Sequence, residues 1–140
     1  MFKSEIRFGA VIVFLGAVFT ISHFAQKRLL DAESPSNCEY LRHSIDTAIV
    51  DTLTTADSKL IFIFRPGTGE NSNKIIARRM KTVENHIKLR VPSFDRAILA
   101  TGSRRNGLPA VEIYVEGKLK WQILAKKGGD LGYDCLEEPY

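Results

Sequence analysis

The stretch over residues 59–74, KLIFIFRPGTGENSNK, joins an unbroken apolar run to a polar loop and then to a basic segment. The apolar run, residues 59–64, has the length of one strand, and its composition predicts a central strand that is covered on both faces. After the loop, apolar residues recur at helical spacing and predict a helix from near Asn73 to Arg90. The apolar stripe of this helix comprises Ile76, Met80, Val83 and Ile87.

The glycines of this loop suggest a phosphate-binding turn, which the known patterns test. A Walker loop places four residues between its glycines, whereas only Thr68 separates Gly67 from Gly69. A dinucleotide-binding loop needs a third glycine where Ser72 stands. We therefore interpret the segment as a strand-to-helix turn in which Asn73 caps the helix.

The flanking segments complete one small domain. Residues 96–101, RAILAT, predict a second strand that the crossover helix makes parallel to the first. Residues 110–125 form two alternating runs around a glycine and predict a β-hairpin. Upstream, Ser36 or Asn37 caps an amphipathic helix that begins near Cys38. The predicted fold class is α+β, an α-β-α-β-β-β domain with a mixed sheet and two helices.

The register of the hairpin depends on which face each side chain occupies. A two-residue turn at Glu116 and Gly117 would pair apolar residues with lysines, because cross-strand partners share a face. A three-residue loop, or an equivalent bulge, pairs apolar residues with one another instead. We expect the pairs Val115–Leu119, Ile113–Trp121 and Val111–Ile123.

The amino-terminal region carries a separate signal. Residues 8–26 contain no charged side chain and would form a helix of about 28 Å, close to the hydrocarbon thickness of a bilayer. Both a cleaved secretory signal and a retained anchor fit this run. The anchor is favoured because His23, which is not a small residue, stands two positions before Ala25. The predicted organisation is a transmembrane signal anchor over 1–30, a linker over 31–37 and a domain over 38–140.

The only two cysteines, Cys38 and Cys135, bracket the predicted domain. In an oxidising compartment they would close a loop of roughly 100 residues, which stabilises a fold by about 4 to 5 kcal/mol in the chain-entropy model. Two unrelated buried thiols are the alternative. Together with the anchor, a disulfide bond favours a cytoplasmic N-terminus and a periplasmic or otherwise extracytoplasmic domain.

Charge is distributed unevenly along the chain. Residues 65–105 hold ten basic and three acidic side chains, whereas residues 128–140 hold four acids and no base. The asymmetry favours an anionic partner for the middle of the chain, or an attraction between the middle and the tail. Arg104 and Arg105 lie in a Gly- and Asn-containing loop, where they could bind a carboxylate or phosphate or could form a solvated basic loop.

Residues 58–116 resemble the C-terminal peptidoglycan-associated domain of the outer-membrane-protein-A-like family. The resemblance rests on the strand, the Gly- and Asn-rich loop, the helix NKIIARRMKTVENHI with its double arginine, and the strand motif Val-Glu-Ile at residues 111–113. The family implies a periplasmic α/β domain that binds the diaminopimelate of peptidoglycan through an Arg of this helix and an Asp just after the strand. Arg79 matches the Arg, whereas Arg65 stands near the place of the Asp and cannot accept a hydrogen bond from the ligand's ammonium.

Patterns for catalysis, cofactors and metals are missing from the sequence. The histidines are not spaced as metal ligands are, and no nucleophile elbow occurs. Nucleic acid is not an expected partner, because the predicted topology places the basic region across the membrane from it. We expect a non-enzymatic binding module, anchored in the membrane through residues 8–26, that binds an anionic cell-envelope polymer such as peptidoglycan through Arg65, Arg79 and Arg104. The alternatives are a structural or assembly subunit of an envelope complex and, third, a phosphate-loop enzyme.

Overall fold

The computed structural model describes residues 34–71 and 73–132. Its elements follow in the order α1 (Cys38–Thr54), β1 (Leu60–Arg65), α2 (Asn73–Arg90), β2 (Ala97–Thr101), β3 (Ala110–Val115) and β4 (Lys118–Leu124). The predicted α+β class with two helices and a mixed sheet is confirmed. The predicted anchor and Cys135 lie outside the described residues. Of the two helices in the described ranges, neither is long and apolar enough to cross a bilayer.

The four strands lie in the order β2-β1-β3-β4. β1 is parallel to β2, as the intervening helix predicted, and antiparallel to β3. β3 and β4 form the antiparallel hairpin. The carboxyl ends of β1 and β2 therefore lie at one end of the sheet. The hairpin turn at residues 116–117 lies at the opposite end.

The first helix is capped at its amino-terminal end. The side-chain oxygen of Asn37 accepts a hydrogen bond from the N–H of Tyr40 at 2.8 Å, which makes Asn37 the predicted cap. Ser36 has another role: its N–H donates to the carbonyl of Leu124, and its hydroxyl oxygen accepts from the N–H of Leu124 at 2.9 Å. These bonds place the beginning of α1 beside the end of β4.

Both helices pack on one face of the sheet. The core of this face includes Leu60, Phe62 and Phe64 of β1, together with apolar residues of β3 and of both helices. Alternate residues of β1, Ile61 and Ile63, are only half-buried. The prediction that β1 is covered on both faces is therefore wrong for the described residues. A continuous apolar run does not distinguish a doubly covered strand from one whose second face contacts only its neighbours in the sheet.

The hairpin turn has two residues and a compensating bulge. Glu116 and Gly117 both have positive φ angles, 53° and 72°, as a tight turn that matches the strand twist requires. Val115 consequently faces Lys118, and the predicted pair Val115–Leu119 is wrong. A register shift then restores the pair Ile113–Trp121 and, beyond it, the pair of Val111 with Ile123. The bulge alternative is thus confirmed, since it returns the apolar residues of β4 to the core face.

Candidate functional site

Three loops meet at the carboxyl end of β1: residues 66–71, 102–109 and 125–131. Thr68 binds Gly107 twice, because its N–H donates to the Gly107 carbonyl and its hydroxyl oxygen accepts from the Gly107 N–H, both at 3.0 Å. Ala125 donates its N–H to the carbonyl of Pro109 at 2.9 Å. Backbone bonds therefore hold the three loops together.

Gly67 is required where the first two loops touch. A Cβ atom at this position would lie 2.6 Å from the Pro109 nitrogen and 2.7 Å from the Gly107 carbonyl oxygen. Such distances are closer than van der Waals contact, and backbone atoms cannot move away as a flexible side chain can. The glycine that suggested a phosphate-binding turn thus allows two backbones to approach closely.

A buried ion pair lies beneath these loops. Arg79 of α2 and Glu70 of the first loop form two parallel hydrogen bonds, Nη1 to Oε2 at 2.8 Å and Nη2 to Oε1 at 2.7 Å. Their side chains are 3% and 2% exposed. Arg79 also donates through Nε and Nη2 to the carbonyl of Gly129 at 3.0 and 2.7 Å, so the pair holds the third loop against α2.

The environment of Glu70 favours its charged form. The hydrogen bonds from Arg79 lower the pKa of Glu70 below its ordinary value of 4.5, against the opposing effect of burial. The N–H groups of Gly128, at 3.0 Å, and of Gly67, at 3.3 Å, donate to the same carboxylate and lower the pKa further. Glu70 is therefore ionised at neutral pH, with each of its oxygens bonded within the fold.

Arg79, predicted as a ligand contact, is directed inward. Its guanidinium is buried, and the carboxylate that it binds belongs to the same chain. A ligand would have to displace Glu70 to reach it, leaving a buried carboxylate without its partner. The structure thus gives Arg79 an internal role in place of the predicted contact.

Arg65, the second predicted contact, lies on the face of the sheet opposite the helices. Its Nε is 2.8 Å from Oε2 of Glu112, and its Nη1 donates to the hydroxyl of Ser103 at 2.9 Å. Tyr114 donates its hydroxyl to the same Glu112 oxygen at 2.9 Å. The hydrogen bond from Arg65 to Glu112 raises the pKa of Arg65, and the hydrogen bond from Tyr114 to the same carboxylate is the main cause of the raised pKa of Tyr114. Arg65 therefore belongs to a polar cluster and has about a quarter of its side chain exposed.

Arg104, the third predicted contact, is exposed at the surface of the loops. One of its nitrogens, Nη2, donates to the carbonyl of Glu70 at 2.9 Å and to the side-chain oxygen of Asn71. This side chain thus supports the first loop while it remains accessible to solvent. The structure does not bring the three predicted arginines together, because they lie on the open face, in the core and on the loop surface.

Among the residues that the structure describes, the outward charge of this end of the sheet is positive. Apart from Arg78, which pairs with Asp130, four basic side chains of the described residues are exposed here: Lys74, Arg104, Lys126 and Lys127. Lys127 also lines an open depression of about 520 Å³, together with Gly69, Glu70, Asn71, Ile75 and Gly128. We call these four side chains and the depression the basic loop surface.

The acidic side chains that the structure describes at this end are paired. Glu70 binds Arg79, Glu112 binds Arg65, and the exposed Asp130 lies 3.0 Å from Nε of Arg78. Because these carboxylates bind arginines of the fold, they do not compete with an external anion for the exposed lysines. Anions that approach the described part of this end therefore meet the lysines first.

A second polar cluster, centred on Asp46, joins the two helices. His86 Nε2 lies 2.8 Å from Oδ1 of Asp46, and Arg90 contacts both oxygens of the same carboxylate at 3.1 Å. This cluster fastens α2 to α1. Among the residues that the structure describes, no three His, Cys, Asp or Glu side chains are grouped as metal ligands would be.

The sequence analysis missed Glu70, although a signal for Arg79 was present. Arg79 follows Ile76 by three positions and precedes Val83 by four, so helical spacing places it on the buried stripe. An arginine on such a stripe requires a carboxylate or several carbonyls nearby. Glu70 was the acid of the preceding loop that could supply one.

Cys38 is buried at the start of α1. Its proposed partner, Cys135, lies beyond the described residues.

Comparison with known proteins gives no relatives for this chain: no family model, no curated protein and no solved structure matches it. The resemblance over residues 58–116 stays a prediction that rests on its motifs alone.

Proposed function

We propose that this protein is a membrane-anchored, non-enzymatic binding module whose extracytoplasmic domain binds an anionic cell-envelope polymer, such as peptidoglycan, through the basic loop surface. The observation that carries the proposal is the division of charge at the carboxyl end of β1. The acids that the structure describes there are paired within the fold, whereas Lys74, Arg104, Lys126 and Lys127 are exposed.

The chemistry of these side chains suits a repeating polyanion. Lysine ammonium groups act as point charges that attract carboxylates without demanding one geometry. Several such contacts along a polymer add up even though each is weak in water. Arg79 and Glu70 support this surface from beneath, because their bonds fix the loops that carry Lys126 and Lys127.

Co-sedimentation of the detergent-solubilised full chain with purified peptidoglycan sacculi tests the proposal. The double variant Lys126→Gln/Lys127→Gln removes two exposed charges and is expected to bind roughly fivefold more weakly, since each exposed charge contributes about 0.5 kcal/mol. Wild-type binding is expected to decrease as salt is raised, because salt screens exposed charges.

The matched control is Lys118→Gln/Lys120→Gln. These two lysines are also exposed, but they lie on β4 near the hairpin turn, at the opposite end of the sheet. Binding by the control variant is expected to equal that of the wild type. No sedimentation of the wild type at low salt would contradict the proposal.

The second candidate is a structural or assembly subunit of an envelope complex. The observation in its favour is the sheet face opposite the helices, where Ile98 is 47% and Leu119 is 51% exposed. Retention of a protein partner by Lys126→Gln/Lys127→Gln, together with loss of that partner on replacing Ile98 or Leu119 by lysine, would favour this function over polymer binding.

Because an extracytoplasmic compartment is oxidising, the proposal also includes a disulfide bond between Cys38 and Cys135. In its support, the hydrogen bonds of Ser36 with Leu124 bring the start of α1 beside the segment that leads toward Cys135. We expect neither thiol to be alkylated in the denatured, unreduced full chain, and both after reduction, as read by the mass shift. Alkylation of both thiols without reductant would contradict the disulfide.

A further inference from the structure

The two edges of the sheet are protected to different degrees. β4 carries Lys118 and Lys120 and contains the bulge, features that prevent an edge strand from pairing with another chain. β2, with the sequence AILAT, contains no charge, no proline and no bulge. Its Ile98 side chain is 47% exposed. β2 therefore has the properties of an edge that accepts another strand.

The backbone groups available on β2 follow from its bonds to β1. The ladder begins with the Leu60 N–H donating to the Arg96 carbonyl at 3.0 Å and ends with the Gly102 N–H donating to the Phe64 carbonyl at 2.9 Å. Since backbone groups alternate in direction along a strand, the even-numbered residues of β2 face β1. The N–H and C=O groups of Ala97, Leu99 and Thr101 consequently point to the outer edge.

We propose that this edge pairs antiparallel with β2 of a second copy of the chain, about a two-fold axis at Leu99. In this register Leu99 faces the partner's Leu99, and Ala97 faces the partner's Thr101. These are the residues whose backbone groups point outward, so each pair forms two hydrogen bonds. The pairing is self-complementary, as a two-fold interface requires.

Side chains in this register are also complementary. Ile98 lies beside the partner's Ala100 on the open face, which covers the exposed isoleucine. At each end, Asp95 faces the partner's Ser103, adjacent to the partner's Arg104; Asp95 and Arg104 are both exposed in the single chain. Residues of opposite charge thus come near each other just beyond both ends of the five-residue strand. The product is a continuous eight-stranded sheet with all helices on one face.

Site-specific cross-linking of the full chain in detergent tests the register. The pair of Cα atoms at position 99 would be about 5.5 Å apart, within the range that a disulfide bond spans. Leu99→Cys is expected to give a disulfide-linked dimer under mild oxidation. The matched variant Leu119→Cys, on the protected edge, and the wild type with its native cysteines are expected to remain monomeric on a non-reducing gel.

The molar mass in detergent tests the dimer independently. The wild type is expected to be dimeric by sedimentation equilibrium, and Ile98→Lys is expected to lower the association constant roughly tenfold or more, because it places a charge against the partner strand. Leu119→Lys introduces the same charge at an equally exposed residue and is expected to leave the dimer intact.

Three outcomes would overturn the proposal. A monomeric wild type would show that β2 accepts no second copy. A dimer that persists in Ile98→Lys and does not cross-link at position 99 would show association through another part of the chain. Equal cross-linking at positions 99 and 119 would show random collision.

Discussion

Replacement of Arg79 by methionine is expected to lower the free energy of unfolding by about 3 to 5 kcal/mol. Methionine fills a similar volume but leaves the Glu70 carboxylate buried without the cation that binds both of its oxygens. The bonds from Arg79 to the carbonyls of Lys126 and Gly129 are lost as well. The third loop then loses its attachment to α2.

Urea unfolding of the full chain, followed by the fluorescence of the single tryptophan, measures this effect. Trp121 is partly buried against the core and reports on loss of packing there. The control is Arg78→Met on the preceding residue of the helix, whose ion pair with Asp130 is half exposed. We expect Arg78→Met to change the free energy of unfolding by less than about 1 kcal/mol. Equal effects of the two variants would contradict an internal role for Arg79.

Removal of both charges is expected to restore part of the lost stability. In Arg79→Met/Glu70→Gln no buried charge remains unpaired, so the double variant should be more stable than Arg79→Met alone.

Acid should weaken the contribution of the Arg79–Glu70 pair to stability. The pKa of Glu70 is lowered in the fold, so the contribution of the pair is present above pH 4.5 and is lost as the pH falls through the lowered value. The stability difference between wild type and Arg79→Met should therefore narrow in acid.

Replacement of Ile113 by alanine is expected to lower the free energy of unfolding by about 3 to 4 kcal/mol. Ile113 is fully buried and lies opposite Phe62 on the face that the helices cover. Its truncation leaves a cavity in addition to the lost burial. Ile61 lies on the other face of the neighbouring strand and is only half-buried.

Ile61→Ala is the matched control, because it removes the same atoms from the same sheet. We expect this variant to cost about 1 kcal/mol, since less apolar surface returns to water and the space is open to solvent. The same urea titration measures both variants. An equal loss of 3 kcal/mol or more in Ile61→Ala would contradict a sheet with helices on one face only.

Local patterns were sufficient to predict the elements. Spacing of apolar residues gave the correct ends of α2, and the Asn37 cap and parallel β2 were also predicted correctly. Which face of the sheet the helices cover was not predictable from local patterns. Ile61 and Ile63 have the composition of a doubly buried strand, but only the placement of both helices decides which face is covered.

Long-range pairing limited the prediction of the site. Arg79 was predicted as a ligand contact, because its partner Glu70 and its two carbonyl acceptors come from loops whose approach depends on the tertiary fold. Arg65 was interpreted as a replacement for an acid, yet it binds Glu112 across the sheet. Lys126 and Lys127 carried no motif, and only their exposure beside paired acids identifies them.

The most direct test of polymer binding at the basic loop surface is the comparison of two lysine pairs in the sacculus assay. We predict that Lys126→Gln/Lys127→Gln lowers the affinity of the full chain roughly fivefold, whereas Lys118→Gln/Lys120→Gln leaves it unchanged. An equal decrease in both variants would reveal non-specific charge attraction. Unchanged affinity in Lys126→Gln/Lys127→Gln would equally contradict binding at this surface.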